Sequence, residues 1–133
     1  MFRLYTKIPT YAIITLLSVI STVVLWIPFL FHFQSINGAR VETPNFQTVL
    51  KHYDGPLYVI PAKTLYDINN PLFETHPIGL TTAYFAAHLP LYPLFIRVLA
   101  PFMGYVKSML MITLLFSIAF FNFFYYFLKK LKM

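Results

Sequence analysis

Two uninterrupted apolar stretches frame a polar, proline-punctuated segment. Residues 8–31 run for 24 positions without a charged side chain, and residues 108–128 run for 21. About 20 helical residues cross a hydrocarbon core ~30 Å thick, so each stretch predicts a transmembrane helix. Arg3 and Lys7 precede the first stretch, as in a secretory signal. A signal core, however, holds only roughly 7 to 15 apolar residues, and Asn37-Gly38-Ala39 is a poor cleavage site. A retained span is expected.

Between the spans the pattern changes partway along. From Asn37 to about Thr82, polar residues are punctuated by Asn37-Gly38, Thr43-Pro44, Asp54-Gly55-Pro56 and Asn69-Asn70-Pro71, which are turn signals and predict a folded loop. Thr43 before Pro44 makes an N-cap and first-turn pair, predicting a short helix from Pro44 to about Lys51. Pro56 starts another, expected to reach Ile60 before Pro61 kinks or ends it. From Tyr84 to Val106 the chain is apolar again, but Pro90, Pro93 and Pro101 break it, and it carries His88 and Arg97. Interfacial or re-entrant helices are expected here, because an arginine at the centre of a span costs about 3 kcal/mol. The fold class that follows is an all-α membrane protein forming a single membrane domain. Two transmembrane helices flank an extracytoplasmic loop, residues 32–107, with short interfacial helices.

Charge gives the orientation. Arg3, Lys7, Lys129, Lys130 and Lys132 put five basic residues into twelve tail positions, whereas residues 32–107 spread five over 76 positions and hold all four acids. The positive-inside rule places both termini in the cytoplasm and the middle segment outside. With 11% charged residues, against roughly 25% in soluble proteins, and 20% aromatics, the chain is neither disordered nor a nucleic-acid-binding module despite its net charge of +6. It has no cysteine, which excludes disulfides, thiol chemistry and Cys-based zinc sites. It also lacks a phosphate-cradling glycine loop, a His-Glu-x-x-His motif and a Gly-x-Ser-x-Gly elbow. His52, His76 and His88 have no metal-specific spacing, so neither metal nor cofactor is expected. Within the aromatic run 116–127, Asn122 is expected to hydrogen-bond another helix of this or another polypeptide.

The remaining chemistry gathers on the loop: Tyr53, Asp54 and Tyr58, then Lys63, Tyr66 and Asp67, then Glu74 and His76, then His88, Tyr92 and Arg97. A carboxylate beside a membrane, with cations and aromatics near it, can deprotonate a hydroxyl while a lipid-linked phosphate leaves. Tyr53-Asp54-Gly55-Pro56-Leu57-Tyr58, followed at a distance by Ala86-Ala87-His88-Leu89-Pro90-Leu91-Tyr92-Pro93-Leu94-Phe95-Ile96-Arg97, resembles the beginning of the integral-membrane GT-C glycosyltransferases. It is most similar to the mannosyltransferases of the glycosylphosphatidylinositol type. Those enzymes carry an aromatic-Asp pair after the first membrane helix and then a Pro-Leu-Tyr-Pro motif. Tyr53 stands where Trp is commoner.

The resemblance implies Asp54 as catalytic base and a polyprenyl-phosphate sugar as donor. Only Asp54 occupies a matching position; by their own chemistry Tyr53, Tyr58, His88 and Tyr92 are candidates to contact sugar or lipid, and Lys63 and Arg97 the donor phosphate. The family has many spans and this chain two, so it looks like the front portion of a longer enzyme, working among membrane lipids with additional transmembrane helices. Each residue also has a plainer role: Asp54 as a helix cap, Lys63 and Arg97 snorkelling to headgroups, the tyrosines as packing. The competing class is a two-span accessory or scaffold protein.

Overall fold

A computed structural model describes residues 9–42, 44–48, 54–75 and 79–132. They form a mostly helical chain: α1 (Thr10–Leu30), a hairpin of β1 (Ser35–Ile36) and β2 (Ala39–Arg40), α2 (Gly55–Thr64), α3 (Leu72–Thr75), α4 (Thr82–Ala86), α5 (Leu91–Met103) and α6 (Tyr105–Lys130). They group into two compact units, one within Met1–Ile27 and Thr113–Met133, the other within Pro28–Ile112.

The first unit consists of most of α1 and α6. With 21 and 26 residues, the two helices are about 31 and 39 Å long at ~1.5 Å per residue, and both are long and apolar enough to cross a membrane. Their large apolar side chains face outward, Leu25 being 72% and Phe123 67% exposed. α6 starts three residues before the expected span and runs on through Lys129 and Lys130, whose charge suits a helix C-terminus.

Asn122 finds its partner within the chain. Its Nδ2 donates to Thr15 Oγ1 of α1 at 3.0 Å and to the Ile118 carbonyl at 2.9 Å. Tyr11 meets Tyr125 edge to face at 5.0 Å, so the two helices run antiparallel. Ser18 and Ser21 donate to carbonyls one turn back, which satisfies their hydroxyls in apolar surroundings.

In the second unit, Asn37 and Gly38 take φ values of +49° and +81°, the left-handed pair of a type I′ hairpin turn. Ser35 pairs with Arg40 and Ile36 with Ala39. Of the helix expected over Pro44–Lys51, Gln47 and Thr48 are helical, while Thr43 and residues 49–51 lie outside the described set. Asn45 supplies the cap, its Oδ1 accepting the Gln47 N–H at 2.8 Å.

Of the two outcomes expected at Pro61, a kink or an end, α2 rules out the end, because the helix continues through it to Thr64. The ring leaves the Leu57 carbonyl without its usual donor. Burial outweighs that loss, since Leu57, Val59, Pro61, Ala62 and Thr64 are all buried. α5 likewise passes Pro93, near its start where an N–H is dispensable, and Pro101. Its 13 residues make about 20 Å of helix, short of a span. Val59 and Ala62 of α2, Ile96 of α5 and Met109 of α6 form the principal core, with Tyr58, Tyr92 and Tyr105 packed around it. Leu57, Phe73 and Phe85 form a second.

Candidate functional site

The two motif-bearing segments meet at α2. Tyr58 packs edge-on against Tyr92 at 4.9 Å and against His88 at 5.2 Å between ring centroids. Hydrogen bonds fix this aromatic cluster: the Tyr92 hydroxyl donates to the Met109 carbonyl at 3.0 Å, and the Tyr66 hydroxyl to the His88 carbonyl at 2.6 Å. His88 Nδ1 lies 3.3 Å from the Tyr84 carbonyl.

Burial, followed by the neighbouring Tyr58, raises the Tyr66 phenol above its ordinary value near 10. A raised folded-state value favours the protonated form, so the associated stability is complete below pH ~10 and is lost as pH rises through the folded value. Unfolding midpoints are therefore expected to fall as pH climbs past about 10, and Tyr66→Phe should flatten that fall. An unchanged alkaline profile in Tyr66→Phe would remove Tyr66 as its source.

Arg97 takes a role that neither sequence reading anticipated. Its Nη1 donates to the carbonyls of Ala62 at 3.1 Å and Lys63 at 2.8 Å. These are last-turn carbonyls of α2, which lack intrahelical donors and face the negative end of the helix dipole. Arg97 thus caps α2. Lys63 is exposed, its Nζ 5.3 Å from the Tyr105 ring centroid.

Asp54 is exposed and precedes α2 without a side-chain capping bond. The carbonyl of Ala62, held by Arg97, lies eight residues along, about 12 Å of axial rise. Lys63 is one residue further and roughly half a turn round the helix from Asp54. Tyr58, four residues on, shares Asp54's side. The acid therefore stands at the start of α2 and the cations at its end, with Tyr58 midway between them. Tyr53, the remaining expected contact, lies outside the described residues, as do His52 and His76.

Sequence reasoning missed a second feature. A cavity of about 600 Å³ opens beside Lys63, with His32, Asn45, Gln47, Tyr105 and Lys107 also in its wall. Its residues come from separate segments, and no motif marks them. Among the described residues no group of three His, Asp or Glu is placed to hold a metal ion. No family model, curated protein or solved structure matches this chain.

Proposed function

We propose that the chain forms the front of an integral-membrane glycosyltransferase that moves a hexose such as mannose from a polyprenyl-phosphate donor to an acceptor hydroxyl outside the cytoplasm. The packing of Tyr58 against His88 and Tyr92 carries this reading. It joins the Asp54 segment to the Pro-Leu-Tyr-Pro segment, the two pieces of sequence on which the resemblance rests. The uncapped, exposed carboxylate of Asp54 supports it further.

Asp54 accepts the acceptor's proton as the hydroxyl oxygen bonds to the anomeric carbon. The bond from that carbon to the phosphate oxygen breaks, and the lipid phosphate leaves with the electron pair. A single displacement inverts the anomeric configuration, with base and leaving group on opposite faces of the sugar. The separation of acid and cations along α2 suits that requirement. Arg97 reaches α2 from the helix that also carries Tyr92, so it serves the leaving phosphate better than Lys63, which turns toward Tyr105. Tyr58, His88 and Tyr92 form an aromatic cluster of the kind that packs against the apolar side of a sugar.

Two experiments test this. Membranes containing the full polypeptide that carries these residues should transfer labelled sugar from a polyprenyl-phosphate sugar and not from a nucleotide sugar. Transfer from the nucleotide sugar alone, after extraction of polyprenyl phosphate, contradicts the reading. The orientation proposed from tail charge predicts that, in intact cells, a cysteine replacing Asn69 reacts with a membrane-impermeant thiol reagent while one replacing Lys132 is protected. The reverse pattern refutes it.

A further inference from the structure

We infer that the cavity beside Lys63 is a binding site for the phosphate headgroup of a membrane lipid, separate from the place where Asp54 would act. Two lysines reach this cavity from different helices, Lys63 from the end of α2 and Lys107 from the first turn of α6, and His32 adds a third nitrogen base just past α1. No carboxylate is among the described residues lining it. Neither lysine forms an ion pair among the described residues; the contact seen for Lys63 is with the Tyr105 ring. Two cations held at one cavity without an acid leave positive charge that an anion would neutralise.

The polar equipment fits a phosphate. Asn45 and Gln47 add amide groups to the wall. The first turn of α6 contributes free peptide N–H groups, since the Ser108 N–H, bonded to the Gly104 carbonyl at 3.0 Å, begins the helical ladder. That turn contains no acid. The helix start adds to the lysines here and does not carry the inference without them.

The remaining wall points to a lipid. Phe29 and Leu30, Val59 and Met103 are apolar, and the cavity lies where α1 ends and α6 begins, the two helices long enough to cross a membrane. A headgroup seated on the lysines would thus have its chains beside apolar side chains. A volume of about 600 Å³ suits a small polar head, within the usual ~300–1,000 Å³ of ligand sites. Polyprenyl phosphate and an anionic phospholipid share this chemistry, as does free phosphate. Lys63 is shared with the donor-phosphate contacts expected from the sequence, whereas Asp54 and Arg97 are not among the residues lining the cavity.

The test uses the full chain in phosphatidylcholine nanodiscs, titrated with radiolabelled undecaprenyl phosphate and, separately, phosphatidic acid, with inorganic phosphate as competitor. The double variant Lys63→Gln/Lys107→Gln should weaken binding of a phosphate lipid by at least about tenfold, since each lysine near an anionic surface contributes about 1 kcal/mol, or roughly fivefold. Lys63→Arg/Lys107→Arg should retain it, and Lys129→Gln/Lys130→Gln, at the far end of α6, should leave it unchanged.

Tighter binding of undecaprenyl phosphate assigns the site to an isoprenoid lipid, and equal binding assigns it to anionic lipids generally. Displacement by millimolar inorganic phosphate means that the head alone is recognised. Unchanged binding in the double Gln variant overturns the proposal. So does an equal loss in the tail variant, or a loss in the Arg variant matching that of Gln with helix content intact by circular dichroism.

Discussion

Ile96→Ala is expected to lower the unfolding free energy by about 2–5 kcal/mol, the range for truncating a large aliphatic side chain in a packed core. Ile96 is 0% exposed and shares a cluster with residues of two other helices, Val59 and Ala62 on α2 and Met109 on α6. Alanine removes the contacts that hold α5 against both and leaves a void that Ala62 is too small to fill. Ile96→Val should cost about 0.5–1.5 kcal/mol. Val98→Ala, on the same helix but 60% exposed, should change stability by no more than about 0.5 kcal/mol. Thermal unfolding of the purified protein in detergent, followed by helix ellipticity, checks the series. Equal effects at Ile96 and Val98 would mean that this cluster is not the core of the second unit.

What was legible in the sequence and what was not follow from the range of the interactions. α1 and α6 were visible because a long apolar run has few alternatives, and their ends fell within a few residues of those observed. The Asn37-Gly38 turn was visible too, but its two-residue strands are too short to show alternation. Pro61 misled as a helix end because proline's local penalty is a rule about isolated helices, whereas packing of five α2 side chains carries this one on to Thr64. Arg97 misled for a related reason. Its partners lie 35 and 34 residues away on another helix, and no local pattern announces a cap supplied from so far. The cavity beside Lys63 was invisible because its lysines, amides and aromatics come from α1, α2, α6 and the connecting turn.

Asp54 was half legible. Its place before Gly55 and Pro56 marks the start of a helix, as observed. Its backbone, however, has φ −82° and ψ 0°, outside the extended region from which a capping side chain reaches the N–H groups two and three residues on. The carboxylate therefore has no capping bond to lose, which sharpens the test of its chemistry. Asp54→Asn and Asp54→Ala should both fold like the parent, because neither removes a cap. The Asn variant keeps the shape and loses the basic oxygen.

The most direct measurement is the rate of sugar transfer from polyprenyl-phosphate mannose by the full polypeptide bearing Asp54→Asn, at equal amounts of folded protein in the membrane. If Asp54 takes the acceptor's proton, the rate falls by about 10²-fold or more, the scale of general-base catalysis, and Asp54→Ala falls equally. Transfer at near the parental rate by the folded Asn variant would contradict the account and leave Asp54 only its place at the start of α2.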